Sequence, residues 1–274
     1  MALNLIYITK EPKVALIAEK YGVDRIMVDL ETLGKEERQK GLNTVKSNHT
    51  LEDVLNVANV LSTSELLVRV NPWNENSVDE IESVITAGAD RIMLPMWKSK
   101  QEVDQFLSLV DRRVKTILLL ETKEAVECLD FILENPLIDE IYIGLNDLHL
   151  SYKLTFMFEL LANGMVEYLA QKIKKRGIPF GFGGIARIGE GILPATSIVM
   201  EHYRLGSSIV ILSRSFCNTD KIKDTKEIDK IFSENLQLLR SFENTLPSKT
   251  NEDYINNIQV IKNNVSVIVR RIKE

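Results

Sequence analysis

The run KTILLLET at 115–122 ends an aliphatic segment on a carboxylate, Glu121. A carboxylate beside such a core is costly to bury unless something pairs with it. A second acid, Asp147, follows the apolar run EIYIGL and its polar neighbour Asn146. Two converging carboxylates repel unless they share a proton or hold a cation. Oxygen-only donors favour a hard divalent ion, and Mg²⁺ takes one or two carboxylates while water and substrate fill its other positions. Glu121 and Asp147 are therefore candidate metal ligands. The competing reading is that each acid caps a following helix or pairs with a nearby Lys or Arg. Three more polar side chains end apolar runs: Asp29 and Glu31 in DRIMVDLE, which share a face because strand side chains alternate, and Arg69 in ELLVRVN.

Short Ile-, Leu- and Val-rich runs alternate with segments of helical period, as in a parallel sheet with crossover helices. Strands are expected at 3–9, 24–31, 65–71, 90–96, 115–121, 140–148, 179–184 and 207–213. Helical candidates lie between them, the first being PKVALIAEKYG with Pro12 in its first turn and Gly22 at its end. Eight such pairs over about 240 residues predict a (β/α)₈ TIM barrel spanning 1–243 with a C-terminal extension at 244–274. An open doubly wound sheet would carry glycines after its first strand, where this chain reads ITKEPK. In a barrel the chemistry sits at the C-terminal strand ends, and strands 5 and 6 are neighbours about 4.8 Å apart. Glu121 and Asp147 can then meet at the mouth. The extension is polar (NTLPSKTNED), then amphipathic (YINNIQVIKNNVSVIVRRIKE). It reads either as an element packed on a neighbouring subunit or as a loosely docked tail.

The chain has 274 residues, 45% hydrophobic and 27% charged, and a formal net charge of −5. This composition suits a globular protein with a sizeable core and lacks the positive field that holds nucleic acid. Two distant cysteines, Cys128 and Cys217, suit reduced thiols in the cytoplasm. No apolar run reaches the roughly 18 residues that span a bilayer, so neither a membrane nor a nucleic-acid partner is expected.

Five motifs in register, VDLE at 28–31, VRVNP at 68–72, GADRIMLPM at 88–96, LLLET at 118–122 and GLNDL at 144–148, resemble the HpcH/HpaI aldolase and citrate lyase beta-subunit family. The similarity covers about residues 20 to 150 and extends more weakly to about 215. The resemblance implies a phosphoenolpyruvate/pyruvate-type barrel that binds Mg²⁺ or Mn²⁺ through Glu121 and Asp147, with Arg69 on the carboxylate of a 2-oxo acid or acyl substrate. A metal-stabilised enolate, formed as a C–C bond is made or broken with an aldehyde partner, suits those groups. It also implies a homo-oligomer, since members commonly assemble through C-terminal helices.

The sequence departs from the family at the proton-transfer group, because Thr32 stands where the pyruvate aldolases carry histidine and Leu119 where they carry glutamine. Asp29 or Glu31 acting through a bound water, His49 from the long loop after strand 2, and His149 beside GLNDL are the candidates. That loop reads as a lid, or, at Lys35, Glu36, Glu37 and Arg38, as a solvated helical turn. In GFGGIARIGEG at 181–191, Gly183, Gly184 and Arg187 could hold the distal anionic end of a substrate, or serve only tight packing. Arg214 is a second candidate anion contact. Two other functions remain open: a lyase acting on an acyl thioester, and a barrel that binds a metabolite without turning it over.

Overall fold

The computed structural model describes residues 2–34 and 48–274. Residues 35–47, which include Lys35, Glu36, Glu37 and Arg38, lie outside the described residues. Eight parallel strands close into a barrel in chain order: β1 Asn4–Ile8, β2 Arg25–Asp29, β3 Glu65–Arg69, β4 Arg91–Leu94, β5 Lys115–Leu120, β6 Glu140–Ile143, β7 Phe180–Ile185 and β8 Ile209–Leu212. Eleven helices are present among the described residues: α1 Pro12–Lys20, α2 Leu51–Ala58, α3 Ser77–Thr86, α4 Lys100–Val110, α5 Lys123–Ile132, α6 Leu145–Ser151, α7 Glu159–Ala162, α8 Met165–Lys175, α9 Ala195–Leu205, α10 Thr225–Glu243 and α11 Asn251–Lys273. None of the described helices is long and apolar enough to cross a membrane.

Every expected strand forms, each shorter than its apolar run by one to a few residues except β7, which runs one residue further. The largest departure concerns β6. The sequence places Asn146 and Asp147 on that strand, but it ends at Ile143. Gly144 leaves the extended conformation (φ −81°, ψ 87°), and the Leu148 N–H donates to its carbonyl, which starts α6. Asp147 therefore lies in the first turn of a helix. The helix expected over 159–176 is likewise divided into α7 and α8 at Gly164, where φ is +85°. The extension forms α11, capped by a reciprocal Thr250–Asp253 box. It packs on α7 and α9 of its own chain, where Asn257 Nδ2 donates to Ser197 O and Glu201 Oε1.

The barrel interior is layered by the two-residue period of its strands. Its middle is apolar, built from Ile6, Met27, Leu67, Met93, Ile117, Leu119, Tyr142 and Ile209. Burying each such side chain contributes about 1.5–3 kcal/mol. Two residues before that layer, the N-terminal strand ends carry charges on the same face. Arg25 forks onto Glu140 (2.6 and 2.8 Å) and reaches Glu65 (3.0 Å), while Arg91 bridges Glu65 and Glu140. Two cations and two anions thus close the floor with no net charge. On the far side, Tyr142 donates from its hydroxyl to Gly183 O and accepts from the Ile211 N–H. Its ring leaves no room at Gly181, where a Cβ would lie 2.6 Å from it and 2.4 Å from Ile209 O. The register shift in β7 between Gly181 and Gly184 accommodates this packing.

His202 on α9 is fully buried, stacked on Phe182 at 3.8 Å, with Nδ1 2.7 Å from Ser207 Oγ. Burial pushes its pKa down from 6.5 to about 3. The folded state therefore refuses a proton that the unfolded chain accepts below about pH 6.5. Its contribution is full above that pH and is lost as pH falls toward 3, at ~1.4 kcal/mol per unit. In His202→Leu, where Ser207 Oγ keeps its bond to Phe180 O, urea midpoints are expected to fall less steeply between pH 6 and 4 than in the parent. Parallel curves would refute this.

Candidate active site

At the C-terminal rim the same period places Asp29 beyond Met27, Arg69 beyond Leu67 and Glu121 beyond Leu119. Asp29 and Arg69 are register partners on adjacent strands, so their side chains meet. Arg69 Nε and Nη2 each donate to one Asp29 oxygen at 2.8 Å, and Nη2 lies 3.4 Å from Glu31 Oε2. Asp29 and Glu31 are buried to 2% exposure, as a forked charge pair allows. The Arg69 guanidinium, which burial alone would weaken, is held charged by Asp29, Glu31 and Glu121. Its remaining terminal nitrogen, Nη1, makes no hydrogen bond to the described residues.

Glu121 is buried just after β5. Burial raises its pKa well above the ordinary carboxylate range, and the negative charges of Asp147 and Glu31 raise it further, against the pull of Arg69 and the Met96 N–H. That N–H donates to Oε1 at 3.1 Å from a residue in the left-handed region, φ +54°. Non-glycine residues adopt this conformation at a cost, which the β4–α4 turn sustains here. Oε2 lies against Gly144, where a Cβ would come within 2.7 Å of it and 3.0 Å of Glu121 Cβ. The backbone of Gly144 suits alanine, so the obstruction is steric. Gly144→Ala is expected to leave the fold intact and weaken divalent-metal binding ~10–100-fold by turning Glu121. Calorimetric titration with Mn²⁺ measures it, and unchanged affinity would sink the prediction.

Glu121 and Asp147 interact electrostatically, so they share one end of the barrel. Among the described residues no group of three or more His, Cys, Asp or Glu side chains could hold a metal unaided. Two carboxylates are nevertheless what Mg²⁺ commonly takes from a protein. The repulsion that raises Glu121 is also what a cation would relieve. The donor set therefore fits a hard divalent ion completed by water or substrate.

The other candidates fall in different places. His49, directly before the Thr50 cap of α2, reaches the rim: its Nδ1 accepts the Asp29 N–H at 3.0 Å. His149 is buried within α6, its Nδ1 3.2 Å from Leu145 O. Gly183 (φ +57°) is accounted for by packing, since a Cβ would meet Leu145 Cδ1 at 2.8 Å. Gly184 faces Ile211 O and Ser213 at ordinary contact distance. Arg187 ties the β7–α9 loop to the one after β8 through Phe216 O at 2.7 Å, and Arg214 is exposed on the latter.

Sequence reasoning missed Met96, Gly144 and Asn71. Asn71 Oδ1 accepts from the Thr32 and Leu33 N–H groups, and its Nδ2 donates to Glu80, which fixes the chain just beyond Glu31. Its position, two residues beyond Arg69 and directly before Pro72, was the available signal.

A closed parallel barrel with several acids and Arg69 gathered at its C-terminal mouth defines a class of enzyme-bearing folds. The profile of the HpcH/HpaI aldolase/citrate lyase family matches residues 5–159, more than half of the chain, and the protein belongs to that family. The family comprises aldolases and lyases that generally depend on a divalent metal ion and act on small molecules. Among curated proteins none matches by sequence. Solved structures agree on the fold. The HpcH/HpaI aldolase of Desulfitobacterium hafniense DCB-2 superposes with a TM-score of 0.63 at 15% identity, over 84% of this chain and 93% of that one. A family protein of Burkholderia cenocepacia J2315 gives 0.59 at 14%, over 90% and 94%. Macrophomate synthase gives 0.55 at 16%, over 77% of each.

Proposed function

We propose that the protein is a divalent-metal-dependent carbon–carbon lyase or aldolase acting next to the carboxylate of pyruvate or a related 2-oxo acid. The observation that carries this reading is the buried Glu121 carboxylate, opposed by Asp147 and Glu31 yet held in place beside Arg69. Glu121 and Asp147 would hold the ion, Mg²⁺ or Mn²⁺. When bound, the ion supplies a Lewis acid that stabilises negative charge on the substrate's oxygens.

The chain's own residues do the rest. Asp29 fixes the Arg69 guanidinium through Nε and Nη2, which leaves Nη1 to orient a substrate carboxylate through a charge-assisted bond. Asn71 holds the turn after Glu31, keeping that acid against Arg69. The apolar layer beneath, from Met27 to Tyr142, excludes water from below the mouth and so strengthens each of these interactions.

The test follows solvent deuterium into the methyl group of pyruvate, and cleavage of 4-hydroxy-2-oxo acids, as Mg²⁺ or Mn²⁺ is titrated into chelated protein. Exchange that rises with metal supports the proposal, and full turnover after exhaustive chelation overturns it. Parallel assays on free acids and coenzyme A esters separate this activity from that of a thioester lyase. Metal and pyruvate binding without any exchange would mark a barrel that binds its ligand and does not turn it over. Sedimentation at assay concentration tests the homo-oligomer.

A further inference from the structure

The uppermost inward layer of the barrel has two halves. β2, β3 and β5 bring Asp29, Arg69 and Glu121 to it. The strands that complete the circle, β6, β7, β8 and β1, bring Gly144, Gly184, Ile211 and Ile8. Ile8 and Ile211 stand two residues beyond Ile6 and Ile209 and pack on the apolar layer inside the barrel, so their side chains point inward. Gly184 is the register partner of Ile211, which aims its missing side chain the same way.

Exposure runs contrary to polarity in these halves. Asp29 and Glu121 are buried to 2% and 3% exposure, whereas Ile8, Ile211 and Gly184 each keep part of their surface open. The layer beneath is at most 4% exposed, so the open apolar surface belongs to the mouth. Such a surface beside a dry cluster of charges is what the apolar part of a ligand would cover.

The glycines of β7 differ in what they are for. Gly181 is required by the Tyr142 ring and Ile209 O, and Gly183 by its φ of +57°. Gly184 lies outside the left-handed region, and a Cβ there would meet Ile211 O and Ser213 Cβ at 3.5 Å, an ordinary contact. Its backbone and these neighbours therefore admit alanine. Glycine weakens a strand interior, and the use that is left for it here is the close approach of another molecule. The cations nearest in sequence have partners of their own: Lys10 donates to Asn48 O, and Arg187 to Phe216 O and Glu190. Arg214 lies on the exposed loop after β8.

We propose that Gly184, Ile211 and Ile8 seat the uncharged hydrocarbon end of the substrate, with Gly184 setting the size that is admitted. This rests on the activity proposed above and narrows it. The carbonyl partner is an aldehyde bearing an alkyl or aryl group, in preference to one bearing a carboxylate or phosphate. The substrate carboxylate stays with Arg69 in the charged half, and the tail lies in the uncharged one.

2-Oxo acids that lack the 4-hydroxyl cannot be cleaved, and their binding in the presence of Mn²⁺ is measured by calorimetry. From 2-oxobutanoate to 2-oxohexanoate, affinity should rise about fourfold per methylene. 2-Oxoadipate, which ends in a second carboxylate, should bind more weakly than 2-oxohexanoate. Gly184→Ala should keep or raise the parent's urea midpoint, while the ratio of 2-oxohexanoate affinity to pyruvate affinity falls about tenfold. A flat series, tighter binding of 2-oxoadipate, or an unchanged ratio in Gly184→Ala would overturn the assignment. If no 2-oxo acid binds, the proposed activity fails and the seat is judged separately. 1-Hexanol titrated into isoleucine-methyl-labelled protein should shift the Ile8 and Ile211 resonances and leave that of the buried Ile117 in place. Ile8 and Ile211 resonances unmoved by the alcohol reject the seat.

Discussion

Glu121→Gln is expected to abolish metal-dependent turnover while making the metal-free protein more stable. The amide is isosteric and can still accept the Met96 N–H, so the geometry survives the loss of charge. Turnover should drop at least ~1,000-fold, which corresponds to about 4 kcal/mol of transition-state stabilisation. The stability gain follows from the raised pKa of the acid. A carboxyl whose folded pKa lies above its unfolded value costs nothing at low pH and destabilises progressively as pH rises above about 4.5 toward the folded value. Glutamine removes that cost. Chelated parent and variant should therefore have similar urea midpoints near pH 4 and diverge in the variant's favour toward pH 7. Saturating Mg²⁺ should stabilise the parent alone, by mass action. A variant that retains metal-dependent turnover would refute the assignment of Glu121.

Arg69→Met produces the opposite effect on stability. The guanidinium is the cation that faces Asp29, Glu31 and Glu121 together, and Asp29 and Glu31 are each only 2% exposed. Removing one partner of a buried pair takes away the charge-assisted contacts that hold these acids and costs about 3–5 kcal/mol. A large part of a typical domain's stability would be lost, along with substrate orientation. Adding Glu121→Gln to Arg69→Met removes one of the acids, so the double variant should be more stable than Arg69→Met alone. Arg69→Met within about 1 kcal/mol of the parent in urea titration would show that the pair is less dry than its contacts imply.

Much of this architecture was legible in the residues. Eight apolar runs separated by helical segments fixed the number and order of the strands, because burial on both faces leaves a run too apolar to mistake. The rim was legible too, since Asp29, Arg69 and Glu121 each interrupt such a run. What escaped notice were contacts made by groups with no distinctive side chain. The Met96 N–H and the missing Cβ of Gly144 position Glu121, yet a backbone donor and an absent atom leave no chemical signature in a sequence. The floor of the barrel was missed for another reason. Arg25 and Glu65 stand at even spacing from Asp29 and Arg69, so the period that identified the mouth also pointed to them, but charges at strand starts read as solvated. The ends of the strands could not be read at all where a turn intervened, as Gly144 shows by moving Asp147 from a strand into a helix.

The neutral floor formed by Arg25, Glu65, Arg91 and Glu140 has a consequence for how such a chain can diversify. Its four members hold one another across β2, β3, β4 and β6, so strand alignment is locked from beneath. The turns at the opposite pole inherit that alignment without having to create it. Substitutions there can trade one substrate for another while the staves stay in step, and a loop transplanted from a relative should meet a frame already assembled to receive it.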